Sequence, residues 1–290
     1  MDNRPTASFQ IFDGAVTLYG FGVNHTNQSL NWSLKGIERE SNFRVTHGHV
    51  IEALRLLSGA QRIYAPSPDK FNSIVLSDRD FVTHPSYVLS VNIDKALRRG
   101  IKADGYGPMS PSDAFAVSAA DCAVIVVQAE ELFFAAHAGR DSLFDRQLIS
   151  TGKASKVNAS VVDAIMARIP KELHEKTRVF VGFTISQGPH FEHPTDHKNY
   201  GKSNKQLLDA IASCYFPSHQ DETFGDDFWK RGQLDMKWLI EKQFQTYGVT
   251  RFETDKFCTF SSTDDQGRHL WFSQRRTNGM RNLFAAVRNH

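Results

Sequence analysis

Two apolar runs dominate the hydropathy pattern: Ala123 to Val127 and Leu132 to Ala136. Each has strand length and is rich in β-branched or aromatic residues, and the polar link Gln128 to Glu131 joins them, so the pattern predicts an antiparallel hairpin. Asp121 and Cys122 stand just before the first run, and His137 stands just after the second. Antiparallel pairing sets the start of one strand beside the end of its neighbour. A thiol and an imidazole far apart in sequence are therefore expected at one end of one sheet.

The remaining pattern alternates short strands and helices. Phe9–Phe12 and Ala15–Phe21 read as strands around an Asp13-Gly14 turn. Asn31 to Ser41 reads as a loop, and Phe43 to Ile51, which holds His47 and His49, as a strand or turn. On a strand, positions two apart share a face. Short apolar runs follow at Glu52–Leu57, Ile63-Tyr64, Ser73–Leu76 and Tyr87–Val91, with a helical turn expected at Asp94–Arg99 and a polar loop over Gly107–Asp113. Arg140 to Lys156 is polar and reads as irregular. Asn158 to Ile169 is an amphipathic helix with Asn158 or Ser160 as cap and Pro170 as stop. Arg178 to Ile185 reads as a buried strand, Gln187 to Gly201 as a long loop carrying Asp196 and His197, and Ser203 to Tyr215 as a helix with Cys214 in its last turn. Asp221 to Gly232 is loop-like. Leu234 to Tyr247 is the clearest helix, with Gly248 at its end. A turn at Asp264–Gly267 precedes a strand at Leu270–Ser273. No repeat or linker interrupts the pattern, which gives one domain, 1–290, of mixed strands and helices.

Composition narrows the class. No apolar run approaches the about 20 residues of a membrane span. The formal charge of +2 over 290 residues, with both signs intermixed, gives no electrostatic case for nucleic acid or a membrane surface. Cys122, Cys214 and Cys258 are too few for a disulfide framework. With no signal pattern at the N-terminus, the expected location is the cytoplasm.

His47, Cys122 and His137 have the donor chemistry of a zinc site, in which three protein ligands leave a position open. The same cysteine and histidine also suit a thiol nucleophile with its base. Asp121 suits either of two tasks: orienting His47 or His137 through the second ring nitrogen, or capping a turn. Arg275 and Arg276 form a guanidinium pair suited to an anion such as phosphate.

Ala120-Asp121-Cys122 followed by His137-Ala138-Gly139 resembles the core signature of the YfiH/YlmD family, first labelled laccase-like multicopper polyphenol oxidoreductases. Other pieces fall in the family's order over about residues 43–287: His47-Gly48, Ala103-Asp104, Val181-Gly182 through Ile185, Phe191-Glu192, Leu234-Asp235, Leu239, Gly248-Val249, Cys258-Thr259 and Phe272-Ser273-x-Arg275-Arg276. The resemblance implies a four-layer α/β/β/α fold with mixed sheets. It implies Zn2+ rather than copper, held by His47, Cys122 and His137. It implies a zinc-dependent purine nucleoside phosphorylase or adenosine deaminase, acting on adenosine, inosine, guanosine or methylthioadenosine. Cys122, His137, Asp121, Arg275 and Arg276 would then be the working residues, with nucleoside and phosphate as small-molecule partners and a monomer or homodimer as the assembly. The alternatives are an amidase that removes serine from UDP-muramoyl-serine, and a binding protein that has lost catalysis.

This chain departs from the family pattern at several points. Arg140-Asp141-Ser142 stands where Trp-Arg-Gly usually follows His-Ala-Gly, and Phe183 replaces the Pro of Ile-Gly-Pro. The family's early Phe-x-x-Arg and Gly-rich segment has no clear counterpart in residues 18–30, and the closing Gly-Arg becomes Gly279-Met280-Arg281. Laccase chemistry needs several paired His-x-His ligands, and the chain has one such pair, at 47 and 49.

Overall fold

A computed structural model describes residues 4–23, 31–34, 40–68, 75–77, 79, 88–89, 95–154, 159–185, 235–274, 276 and 279–290, with side chains in the first helix described from residue 48 onward. In chain order the strands are β1 (Ala7–Ile11), β2 (Val16–Phe21), β3 (Arg62–Ser67), β4 (Val75–Leu76), β5 (Val88–Leu89), β6 (Ala96–Lys102), β7 (Gly105–Tyr106), β8 (Asp113–Ala119), β9 (Ala123–Ala129), β10 (Leu132–Ala138), β11 (Arg178–Gly182), β12 (Arg251–Thr254) and β13 (Asn282–Arg288). The helices are α1 (Glu40–Arg55), α2 (Arg146–Thr151), α3 (Val161–Met166) and α4 (Met236–Gln245).

Among the described residues these strands make two mixed sheets. The first runs β1-β2-β13-β8-β3-β6-β5 and the second β12-β11-β9-β10-β7-β4. Strand alternation sorts the side chains of the central strands into three apolar layers. From the first sheet, Phe115, Val117, Phe284 and Ala286 meet Val124, Val126, Phe133, Ala135 and Phe180 of the second. The other faces of these strands carry helices. Ile125, Val127, Phe134, Ala136 and Val181 pack with Ile165 of α3 and with Leu239 and Phe244 of α4. Ala114, Ala116, Leu283 and Ala285 pack with Val50, Leu54 and Leu57 around α1. This is the expected α/β/β/α order. A strand buried on both faces needs no polar alternation, which accounts for the apolar runs Ala123–Val127 in β9 and Leu283–Val287 in β13.

The β9–β10 hairpin forms as the pattern predicts, with Ala123 opposite Ala138 and Val124 opposite His137. Its strands extend further than the apolar runs, so the connection shrinks to Glu130 and Glu131. The hairpin β1–β2, the α3 cap at Ser160 and the α4 segment also match expectation. Gly248 sits just past α4 at φ +84°, a left-handed turn that glycine adopts without steric cost.

Four expectations are corrected. Residues 43–51 belong to helix α1, because Val50, Ile51, Leu54 and Leu57 form an apolar stripe against the first sheet. Asp94–Arg99 is not a helical turn: Ala96–Lys102 is strand β6, paired parallel to β3. Residues 140–156 are not wholly irregular, since Arg140–Ser142 forms a 3-10 turn and α2 follows, capped by Asp145. Leu270–Ser273 is not a strand. It hydrogen-bonds through Leu270 to Val23 and Ser262, outside both sheets. The expected 203–215 helix with Cys214 and the loops at 187–201 and 221–232 lie outside the described residues, as do Asn158, Asp196, His197 and Arg275.

Candidate functional site

The site lies where the chain crosses from β8 in the first sheet to β9 in the second. Cys122 immediately precedes β9, and His137 is the penultimate residue of β10. Both share strand parity with residues whose side chains enter the layer between the sheets, and Cys122 packs against that layer. The sequence expectation that the two meet is met in space. A Cβ placed on Gly139 would lie 3.4 Å from Cys122 Sγ, 3.0 Å from His137 Cε1 and 3.6 Å from His137 Nε2. Glycine at 139 thus leaves open the space that thiol and imidazole share.

Asp104, directly before β7, fixes the ring. The backbone N–H of His137 donates to the Asp104 carbonyl at 2.7 Å, and His137 Nδ1 faces Asp104 Oδ1 at 3.3 Å. Asp104 is 1% exposed. With Nδ1 at Asp104, the Cε1–Nε2 edge of the ring lies with Cys122 Sγ around the Gly139 position. Burial opposes charge on His137, but the Cys122 sulfur and the Asp104 carboxylate more than offset it and lift the imidazole from 6.5 to about 10. Asp104 therefore has the orienting role expected of Asp121. Sequence reading gave Asp104 only a place in a motif, and the missed signal is its position before the strand that pairs with β10.

Asp121 faces elsewhere. It sits at φ +75° and is 9% exposed. Thr259 Oγ1 donates to its Oδ1 at 2.7 Å, and Ser273 Oγ and the Gln274 N–H donate to its Oδ2 at 3.0 and 2.9 Å. Its carbonyl accepts from Thr184 Oγ1 at 2.6 Å and from the Ile185 N–H. Among the described hydrogen bonds none runs from its carboxylate to a histidine.

Arg276 braces the same segments. Its Nη2 donates to the carbonyls of Thr259 at 3.1 Å and Trp271 at 2.7 Å, and its guanidinium lies over Phe260. Burial lowers its pKa, with Asp121 and Cys258 opposing. Arg275 lies outside the described residues.

The two histidines at 47 and 49 are on α1, where positions two apart do not share a face. His49 is buried, with Nε2 2.9 Å from the Asn31 carbonyl and its ring edge-on to Trp32. That packing accounts for His49 without a ligand role. The side chain of His47 is outside what is described. Among the described residues no group of three His, Cys, Asp or Glu side chains forms a metal cluster. The two described donors of the expected trio nevertheless have chemistry that suits zinc: the Cys122 sulfur and the His137 imidazole border one Cβ-sized space at Gly139, and the Asp104 carboxylate faces Nδ1.

Both departures in the neighbouring loops have a local explanation. Ser142 folds back on Gly139, its N–H and Oγ both donating to the Gly139 carbonyl at 3.0 Å, which closes the Arg140–Ser142 turn. Phe183 has φ +54°, a conformation closed to proline. Its N–H donates to Asp255 Oδ2 at 2.7 Å, and proline has no such donor.

The four-layer fold of two mixed sheets is shared with known proteins. The chain belongs to the multi-copper polyphenol oxidoreductase laccase family, whose model matches residues 79–287. Among solved structures it resembles the Neisseria meningitidis protein NMB0706, with a TM-score of 0.58 and 17% identity over 95% of each chain. It also resembles hypothetical protein YfiH of Bacillus licheniformis, with a TM-score of 0.55 and 17% identity over 94% of this chain and 92% of that one. YlmD of Geobacillus stearothermophilus aligns with a TM-score of 0.50 and 16% identity over 95% and 92%. At these identities the likeness is one of fold. No curated protein matches the chain.

Proposed function

We propose that this protein is a zinc enzyme acting on purine nucleosides, by phosphorolysis or by deamination of adenosine. The observation that carries the metal assignment is the Cys122–His137 pair over Gly139, with Asp104 on Nδ1. The substrate class rests on the ordered motif set shared with the family. His47, Cys122 and His137 would hold the ion, which when bound supplies Lewis-acid activation of water or phosphate. Asp104 keeps the His137 ring fixed, with its Cε1–Nε2 edge at the Gly139 position. Arg275 would bring positive charge suited to phosphate or to developing negative charge, whereas Arg276 gives its Nη2 to the carbonyls of Thr259 and Trp271. A single His-x-His pair, with His49 packed on Trp32, argues against a multicopper oxidase centre despite the family's description.

The test is mass spectrometry of products after zinc-loaded protein meets a nucleoside panel with and without phosphate. Free base plus ribose 1-phosphate, formed only with phosphate, supports phosphorolysis, and inosine from adenosine supports deamination. Absence of any product from the whole panel contradicts the proposal. A second reading draws on the same array, because Cys122, His137 and Asp104 also suit a thiol nucleophile, its base and an orienting carboxylate. Turnover that survives chelation and is lost on alkylation of Cys122 would select it.

A further inference from the structure

Asp121 collects three chain segments beside Cys122. Thr259 and Ser273 donate to its carboxylate through hydroxyls, Gln274 through its N–H, and Thr184 and Ile185 donate to its carbonyl. Thr184, Thr259 and Ser273 are each at most 1% exposed. The Thr259 N–H also donates to the Thr184 carbonyl at 3.1 Å, so two of the three segments are bonded to each other as well as to Asp121. Two left-handed non-glycine residues face this junction, Asp121 at φ +75° and Phe183 at φ +54°. Such strain persists only where the surroundings over-determine it, and it concentrates at working sites. Here it sits in the residue that turns the chain out of the first sheet and delivers Cys122 to the second.

We propose that Asp121 is a positioning residue for Cys122. By holding the sheet-to-sheet turn in its left-handed form, it aims the thiol at His137 and makes that aim depend on the distant Cys258-Thr259 and Ser273-Gln274 segments. This assigns a common task to three motifs that lie far apart in sequence. The inference rests on the reading of Cys122 as a zinc ligand, and one arm of its test does not.

The variants are Asp121→Asn, which tolerates the left-handed backbone, and Thr259→Val and Ser273→Ala, which each remove one donor. Ser160→Ala, a cap on the far helical layer, controls for loss of stability. Two readouts apply: the sulfur-to-cobalt charge-transfer absorption per bound Co2+, and the alkylation rate of Cys122 by iodoacetamide in metal-free protein, located by peptide mass spectrometry. Asp121→Asn and Thr259→Val should each weaken Co2+ binding about tenfold or more and reduce the band per ion. They should also change the Cys122 alkylation rate several-fold, while Ser160→Ala changes neither. A band and a rate equal to those of Ser160→Ala at matched loss of Tm would overturn the proposal. If Asp121→Asn does not fold, Thr259→Val and Ser273→Ala carry the same decision. If the wild-type protein itself shows no thiolate band with Co2+, the zinc reading fails, and the alkylation rates alone decide the positioning role.

Discussion

Asp104 spends both its carbonyl and its carboxylate on His137, at 2.7 and 3.3 Å. A carboxylate behind a ligating histidine fixes its orientation and basicity, and removing such a partner typically costs about 10–100-fold in metal affinity. Asp104→Ala should therefore weaken zinc binding by about that factor, measured by competition with a chromophoric chelator. Affinity equal to wild type would show that the ring is held by other contacts. Gly139 offers a second test at the same scale. Gly139→Ala puts a methyl 3.0 Å from His137 Cε1 and 3.4 Å from Cys122 Sγ, so the pair must spread to admit it. Zinc affinity should fall with little change in Tm, because position 139 already has extended backbone geometry open to alanine. The sequence placed Cys122 and His137 correctly because strand alternation and hairpin pairing decide both. It assigned the orienting carboxylate to Asp121, the neighbour in sequence, whereas Asp104 reaches the ring through the pairing of β7 with β10, a tertiary contact that local spacing does not encode.

Among the elements, the β11 end shows how the chain accommodates a residue unlike the family's proline. Phe183 packs its ring on Phe284 at 4.5 Å, and Asp255 accepts its N–H while Lys237 of α4 pairs with Asp255 at 3.0 Å. Phe183→Pro would lose that hydrogen bond and the left-handed conformation together, a destabilisation on the order of 3 kcal/mol by denaturant titration. An unchanged midpoint would mean that the turn re-forms without them. Burial raises the Asp255 pKa above 3.8, with Lys237 and the Phe183 and Phe257 N–H groups opposing. Above its folded pKa the buried carboxylate costs stability, and the cost is relieved as pH falls through that pKa toward 3.8. The stability difference between Asp255→Asn and wild type should therefore change across this acid window and stay constant at neutral pH. A difference that stays flat down to 3.8 would contradict the raised pKa. Elements were legible where the pattern is self-sufficient, as in β9, β10, α3 and α4. Helix α1 was not, because Thr46-His-Gly-His49 interrupts it with weak helix formers and packing on the first sheet decides its state. Strand β6 was misread for the opposite reason: Asp94–Arg99 is rich in helix formers, yet the parallel pairing with β3 overrides them. Strand β13 drew no notice in the sequence, although it fills the gap between β2 and β8.

At the level of the whole molecule, two sheets lie face to face with helices outside, and the chain passes between them at Asp121-Cys122. That crossing gathers the 184–185, 258–259 and 273–274 segments and sets a thiol beside an imidazole. The fold thereby brings segments from distant parts of the chain to one junction. No helix among the described residues is long and apolar enough to cross a membrane. We propose that His47, Cys122 and His137 hold a single zinc ion at this crossing. The most direct measurement is elemental analysis of purified wild-type protein beside His47→Ala, Cys122→Ala and His137→Ala, each shown to be folded by its melting curve. The account predicts near-stoichiometric zinc in the wild type and little in each variant. Stoichiometric zinc retained by folded Cys122→Ala would contradict it.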